Sequence, residues 1–206
     1  MGQPDHDRDL VAYYEQEVAL GRRSRHGAHR VEMLGSFIEL LRHEGRASVV
    51  DVGAGPGLDV VEFASAGLDA VGVDLTPGNV SAMRRRGLRA VCGSIYDPPL
   101  TPHSFDAVWS MSTLVHVPDS RFDQAVDGLV SLAGPDAPIA VGTWGGFDFE
   151  GRSEHGDIRP YRFFALRSHE RFRELMERHG RVEQFETIVV DPASDWEYQL
   201  VVVRAS

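Results

Sequence analysis

The sequence contains no lysine, because all 21 of its basic residues are arginine. This absence excludes a lysine nucleophile, a Schiff base and the lysine of a P-loop. The only cysteine is Cys92, so no intramolecular disulfide can form, and the cytoplasm is the expected compartment. The longest apolar runs, such as residues 200–203, are far too short to cross a bilayer, and no secretion signal is visible. We therefore expect no membrane association.

Acidic residues outnumber basic ones by 31 to 21, which gives a net charge of −10. Such a surface repels phosphate backbones, so nucleic acid is not an expected partner. The 206 residues, of which 42% are hydrophobic, suit one globular domain with an appendage. We predict an N-terminal helical cap over residues 1–46 and a single compact domain over residues 47–206.

Short valine-rich runs alternate with segments of helical periodicity after residue 46. The predicted strands are 47–52, 70–75, 89–92, 105–111, 138–144, 182–190 and 196–203. This alternation predicts an α/β, Rossmann-like doubly wound sheet of seven mostly parallel strands with helices on both faces. No helix separates the last two strands, so the last strand is predicted to be antiparallel. Residues 145–166 are polar and contain glycines, and we predict a loop there.

A glycine-rich loop follows the first predicted strand, where residues 51–57 read Asp-Val-Gly-Ala-Gly-Pro-Gly. Glycines allow a tight turn and let a ligand approach the main chain. The dinucleotide fingerprint needs a small residue at position 58, which is Leu58, and the third glycine comes one position early at Gly57. Asp74 ends the second strand and can accept hydrogen bonds from both hydroxyls of a ribose, although a lone aspartate there also suits a helix cap or a solvated side chain. Together, the loop and Asp74 predict a nucleoside ligand.

These residues resemble the class I S-adenosylmethionine-dependent methyltransferases from about Ser48 to the C-terminus. Residues 51–57 look like the first motif of the family, and Asp74 stands where the family holds the ribose. Residues 104–111 look like its fourth motif, and residues 114–119, Leu-Val-His-Val-Pro-Asp, are similar to a sequence of its small-molecule branch. The resemblance implies S-adenosylmethionine as cofactor and methyl transfer to a small-molecule acceptor.

The resemblance also implies which residues bind the cofactor. They are Tyr14, Asp51, Gly53, Ala54, Gly55, Gly57, Asp74, Leu75, Ser94, Ile95, Ser110 and Met111. The family usually has Gly-Asp where this chain has Gly93-Ser94, so the adenine contact falls to Ser94, to Asp97 or to the backbone. For Tyr14, packing alone is the alternative.

Three residues are candidates for the acceptor side. His116 is a candidate general base, because the unperturbed pKa of histidine lies near neutrality, and the alternative is a capping or packing role. Trp144 can form a wall of the acceptor pocket or face the sulfonium, or it can simply be part of the core. Arg162 can pair with a carboxylate or phosphate, or it can be a surface arginine on an anchored loop.

Other functions stay open. An NAD(P)-dependent oxidoreductase shares the sheet and the acidic residue, but Leu58 and the closing strand pair argue against it. A non-catalytic S-adenosylmethionine-binding protein is a second alternative, because methyl transfer requires no obligatory catalytic residue whose absence would show in the sequence. Methyl transfer to a protein acceptor is also compatible with the sequence. No metal site is expected, because the His26-x-x-His29 spacing lacks nearby cysteine or carboxylate support.

Overall fold

The computed structural model describes residues 4–22, 27–154 and 156–204. The helices are α1 (Pro4–Ala19), α2 (Ala28–His43), α3 (Leu58–Ser65), α4 (Pro77–Arg85), α5 (Phe122–Leu132) and α6 (His169–Glu177). The strands are β1 (Ser48–Val52), β2 (Asp69–Asp74), β3 (Arg89–Cys92), β4 (Val108–Met111), β5 (Pro138–Gly145), β6 (Phe149–Arg152), β7 (Phe163–Leu166), β8 (Arg181–Ile188) and β9 (Glu197–Arg204). No helix in these ranges is long and apolar enough to cross a membrane. His26, half of the His26-x-x-His29 pair, lies outside the described residues.

Seven strands form one sheet in the order β3-β2-β1-β4-β5-β9-β8. The strands from β3 to β5 are parallel, and β9 runs antiparallel to both β5 and β8. The prediction of a seven-stranded, mostly parallel sheet with an antiparallel last strand is therefore confirmed. The direction of winding reverses between β1 and β4, and in such sheets ligands bind outside the carboxyl ends of the strands at this reversal.

Strand β1 is buried on both faces, and this fixes the position of the loop that follows it. Val50 and Val52 pack in the apolar layer that contains α5, and Val49 packs in the opposite layer with Phe37 and Phe63. All three valines are at most 1% exposed. Because apolar layers cover both faces, the strand is held in the interior, and its carboxyl end lies at one edge of the sheet.

The structure corrects the prediction of a loop over residues 145–166. Strand β5 extends to Gly145, and β6 pairs with β7 as a separate antiparallel hairpin. Arg152 on the hairpin pairs with Asp9 of α1 at 2.5 Å, so the hairpin is tied to the N-terminal helix. The sequence of β6, Phe-Glu-Gly-Arg, has no alternation of apolar and polar residues, and this is why its pattern predicts no strand.

Ser120 and Thr76 are of the residue types that favour helix N-cap positions, but the structure departs from this preference at both residues. Ser120 lies within a 3₁₀ turn, and α5 begins after it at Phe122. Thr76 precedes α4 as expected, but its hydroxyl makes no capping hydrogen bond. The Thr76 amide instead donates to the carboxylate of Asp74 at 2.8 Å. The start of α4 is thus held by the side chain that ends β2.

Candidate active site

Two adjoining clefts open at the carboxyl ends of the central strands. The first has about 720 Å³ of free space, and the second about 1760 Å³. Of the predicted site residues, the first cleft is lined by Tyr14, Gly53, Gly55, Asp74, Leu75, Ser94, Ile95, Met111 and His116. The second is lined by Tyr14, Gly53, Ala54, Gly55, Met111, His116, Trp144 and Arg162. Five predicted residues therefore stand where the two clefts meet.

Three backbone amides of the glycine loop donate hydrogen bonds to other groups of the protein. The amides of Gly53 and Ala54 both donate to the Val73 carbonyl, at 2.8 and 3.0 Å. The amide of Gly55 donates to the Asp74 carboxylate at 2.7 Å. These three amides are not available to hold a pyrophosphate, which is the task of such a loop in dinucleotide-binding proteins.

Asp74 is 8% exposed and lies on the wall of the first cleft. One carboxylate oxygen accepts from the Thr76 amide and from the Asn79 side chain, and the other accepts from Gly55. A carboxylate offers about four acceptor positions. Asp74 can therefore still accept from a ligand hydroxyl while it holds the loop and α4 in place.

Asp51 is 3% exposed and lines neither cleft. Its Oδ2 atom is buried without a hydrogen-bond partner among the described residues. Burial, followed by the charge of nearby Asp59, raises the pKa of Asp51 well above its usual range. A ligand that brought a positive charge close to this carboxylate would favour its ionised form.

Gly57 and Ser110 likewise line neither cleft. Gly57 has a φ of +81°, and a Cβ there would lie 2.5 Å from the side chain of Met83. The buried hydroxyl of Ser110 donates to the Val52 carbonyl at 2.8 Å and so joins β4 to β1. Both residues shape the strand ends beside the clefts, and their predicted contact with the cofactor stays a prediction.

The structure places only some of the residues near the predicted adenine contact on the wall of the first cleft. Ser94 lines the first cleft, whereas Asp97 does not. Asp7 and Tyr96 also line this cleft, although sequence reasoning did not identify them. Asp7 is on α1, and no local pattern connects it to a cleft formed by strands that follow much later in the chain.

Tyr14 and His116 are hydrogen-bonded to each other where the clefts meet. Nδ1 of His116 lies 2.8 Å from the Phe163 carbonyl, which can only accept, so Nδ1 is the donor. In the neutral ring, Nε2 then carries the lone pair, and the Tyr14 hydroxyl donates to it at 2.7 Å. The carbonyl thus fixes the tautomer that leaves His116 ready to take a proton through Tyr14.

Arg167 holds the turn that carries His116, and sequence reasoning missed it. Its side chain is fully buried and donates to the carbonyls of Leu114 and Val117, at 3.2 and 2.8 Å. It also pairs with Asp119 at 2.9 Å. Burial lowers the pKa of this guanidinium, and Asp119 partly offsets that effect. A buried arginine is the residue type whose five donors can satisfy several carbonyls at once.

Trp144 and Arg162 both line the second cleft, together with residues that the sequence did not single out. The Trp144 ring contacts Tyr198 with centroids 5.1 Å apart, and the His29 ring lies 5.9 Å away. Burial and the neighbouring Arg30 lower the pKa of His29, so this ring is neutral near pH 7. Tyr198 is the cross-strand partner of Trp144 on β9, a pairing that only the sheet topology reveals.

Substituting Gly53 by alanine is expected to destabilise the fold. Gly53 has a φ of +82°, and a Cβ there would lie 1.9 Å from Oγ1 of Thr113. A left-handed conformation costs about 1–2 kcal/mol, and an unrelieved clash adds roughly 1–3 kcal/mol. The matched control is Gly67→Ala, since Gly67 has a φ of +89° but open space around it. Urea unfolding that shows equal losses for the two variants would contradict the close approach of Gly53 and Thr113.

Comparison with known proteins shows that part of the chain is similar in sequence to methyltransferases. Residues 49–136 match a family model described as a methyltransferase domain. A probable chloroplastic tocopherol O-methyltransferase of Oryza sativa subsp. japonica is 36% identical over 108 residues, which cover 47% of this chain and 29% of that protein. The match thus spans less than a third of that relative's length.

Two solved structures share the fold over the whole chain. One is a 1,6-didemethyltoxoflavin-N1-methyltransferase of Burkholderia thailandensis with S-adenosylhomocysteine and 1,6-didemethyltoxoflavin bound, with a TM-score of 0.75, 18% identity and coverage of 100% of this chain and 91% of that chain. The other is a magnesium protoporphyrin IX methyltransferase of Synechocystis PCC 6803 with bound S-adenosylmethionine, with a TM-score of 0.69, 16% identity and full coverage of both chains. Residues 49–136 therefore match a methyltransferase domain in sequence, and the whole chain shares the fold of these two methyltransferase structures.

Proposed function

We propose that the protein transfers a methyl group from S-adenosylmethionine to a small-molecule acceptor. The observation that carries this proposal is the junction of the two clefts. The glycine loop and Asp74 line the first, aromatic rings line the second, and the Tyr14–His116 pair belongs to both. When bound, S-adenosylmethionine supplies a methyl group that is already activated by a positively charged sulfur. The protein then has to orient the acceptor, exclude water and receive a proton.

The first cleft suits a nucleoside better than a dinucleotide. Asp74 retains acceptor capacity for ribose hydroxyls, with Leu75, Ser94 and Ile95 beside it on the cleft wall. The loop amides that would bind a pyrophosphate are already bonded to Val73 and Asp74. This favours S-adenosylmethionine over NAD(P), the cofactor of the rival oxidoreductase.

In this proposal, Asp51, Gly57 and Ser110 support the cofactor site without touching its cleft. The buried Oδ2 atom of Asp51 has no hydrogen-bond partner among the described residues, and a positive charge brought near it would favour the ionised carboxylate over the raised pKa that burial imposes. Gly57 and Ser110 set the packing of the loop against Met83 and Val52. Met111 and Tyr14 line both clefts at the end where the methyl group would be held.

Tyr14 and His116 form a path for a proton leaving the acceptor. An acceptor hydroxyl that donates to the Tyr14 oxygen passes its proton to Tyr14 while the Tyr14 proton moves to Nε2 of His116. The resulting imidazolium keeps its Nδ1–H bond to the Phe163 carbonyl. His116 therefore acts through Tyr14, and Tyr14 is the group that touches the acceptor.

The expected acceptor is a small molecule, because the second cleft is concave and walled by side chains of the chain itself. The net charge of −10 argues against nucleic acid. The cytoplasm remains a prediction, supported by the single cysteine, which needs no oxidising compartment.

The test is calorimetric titration of the purified protein with S-adenosylmethionine, S-adenosylhomocysteine and NADH. Binding of the first two but not of NADH is the expected result. Release of S-adenosylhomocysteine in the presence of small-molecule acceptors then separates an enzyme from a non-catalytic binding protein. Binding of NADH, or of none of the three compounds, would contradict the proposal.

A further inference from the structure

The second cleft has aromatic walls. Tyr13, Tyr14, Trp144, Phe164, Trp196 and Tyr198 all line it. The rings contact one another edge-on or tilted, for example Phe164 and Trp196 at 5.4 Å between centroids. Rings held in this way by their neighbours form rigid aromatic walls, which favour an aromatic ligand that can stack on them or meet them edge-on over a branched or aliphatic one.

One guanidinium among these rings has no acidic partner among the residues that the structure describes. Arg162 lies over Tyr13 at 4.5 Å, over Phe164 at 5.0 Å and over Tyr14 at 5.9 Å. One of its nitrogens donates to the Tyr14 hydroxyl at 3.4 Å. In the part of the chain that the structure describes, no carboxylate lies within ion-pair distance of this half-buried cation.

The other arginines of the cleft differ from Arg162 in this respect. Arg22 pairs with both oxygens of Asp157, at 2.7 and 2.5 Å. Arg30 pairs with Asp59 at 3.2 Å and donates to the Tyr198 hydroxyl. Among the described residues that line this cleft, Arg162 is therefore the arginine whose charge is not paired with a carboxylate, and its planar fork matches an anionic oxygen or a carboxylate.

We infer that the acceptor is a planar aromatic compound carrying an anionic oxygen, a carboxylate or a phenolate, which binds to Arg162 beside the Tyr14 hydroxyl. The aromatic walls hold the ring of the acceptor, and Arg162 orients it. Because Arg162 donates to Tyr14, the anion is held next to the proposed proton path. This inference rests on the proposed methyl transfer, since it identifies the acceptor of the same site.

The test measures binding of chosen probes to the protein saturated with S-adenosylhomocysteine, by calorimetry and by tryptophan fluorescence. Hydroxynaphthoate is compared with the corresponding hydroxynaphthamide, which has the same shape without the charge. Nitrophenol, measured below and above its own pKa, tests the phenolate. Adamantane carboxylate, an apolar but non-planar acid, tests the requirement for a flat ring.

We expect hydroxynaphthoate, ionised nitrophenol or both to bind about tenfold or more tightly than the neutral and non-planar probes. Arg162→Gln should remove that preference, since a charge-assisted bond contributes about 10- to 100-fold in affinity. Arg162→Lys should restore part of it. The matched control is Arg173→Gln, which removes an exposed arginine of α6 that pairs with Glu177 and should leave binding unchanged.

The outcomes separate the inference from the proposed function. If S-adenosylhomocysteine binds but neither anionic probe is preferred, or if Arg162→Gln keeps the preference, the inference is wrong and the cofactor site stands. If adamantane carboxylate binds as tightly as hydroxynaphthoate, the aromatic requirement is wrong. If S-adenosylhomocysteine itself does not bind, the proposed function fails first. A preference for hydroxynaphthoate alone identifies the anion as a carboxylate, and a preference for ionised nitrophenol alone identifies a phenolate.

Discussion

Replacing Asp74 by alanine is expected to weaken the binding of S-adenosylhomocysteine by about 100-fold or more. Hydrogen bonds to a charged group contribute about 1.5–3 kcal/mol each, and the ribose hydroxyl at the remaining acceptor position of Asp74 would lose its partner. The same substitution removes the acceptor for the Gly55 amide, the Thr76 amide and the Asn79 side chain. The loop and the first turn of α4 then lose their common anchor.

Two further variants sharpen this experiment. Asp74→Asn keeps the shape of the side chain but replaces one acceptor oxygen by an NH₂ donor. This donor would face the amides of Gly55 and Thr76, which also donate, so the variant should lose affinity for S-adenosylhomocysteine as well. Asp69→Ala removes an exposed aspartate at the other end of the same strand, where it pairs with Arg89, and it should leave the affinity unchanged. Circular dichroism confirms that each variant is folded. Unchanged binding in a folded Asp74→Ala protein would mean that the ribose is held elsewhere.

Loss of the Tyr14 hydroxyl or of the His116 ring is expected to slow methyl transfer much more than it weakens cofactor binding. Positioned proton transfer contributes about 10²- to 10⁴-fold, so Tyr14→Phe and His116→Ala should each reduce turnover on that scale. Tyr14→Phe keeps the ring that contacts His116 at 5.8 Å between centroids. The affinity for S-adenosylhomocysteine, measured by calorimetry, should change only a few-fold.

The double variant distinguishes a proton path from two packing residues. Groups that act as one unit are not additive, so Tyr14→Phe with His116→Ala should be no slower than the slower single variant. Tyr161→Phe, which removes the hydroxyl that accepts from Arg159 on the hairpin, is the control and should retain full turnover. Equal losses of turnover and of cofactor affinity in the single variants would reduce both residues to packing roles.

Sequence reasoning predicted those parts of the fold that local patterns determine. The valines of β1, the glycines after it and Asp74 all lie within one strand–loop–helix–strand unit, and its periodicity is visible in the chain. The antiparallel β9 follows from the absence of a helix before it. The hairpin of β6 and β7 was not predicted, because residues 149–152 show no alternation of apolar and polar side chains.

Contacts of the site between segments that are far apart in the chain could not be predicted from the sequence. Tyr14 and His116 were each identified as candidates, but their hydrogen bond spans 102 positions of the chain, and no local signal announces it. Arg167 lies 53 positions after Leu114, whose carbonyl it binds, and Tyr198 reaches the second cleft from β9. Among the site residues that were not predicted, Asn79 was the one most open to prediction. It lies in the first turn of α4, which follows Asp74 in the chain, and it donates to the Asp74 carboxylate.

The most direct test of the account is a crystal structure of the protein with S-adenosylhomocysteine. The account predicts the ribose hydroxyls within hydrogen-bond distance of Asp74 and the sulfur at the junction of the two clefts, facing Tyr14. The Gly53 and Gly55 main chain should lie against the amino-acid part of the ligand. Density for the ligand outside the first cleft, or with its sulfur turned away from the second, would contradict the central claim that these two clefts form one methyl-transfer site.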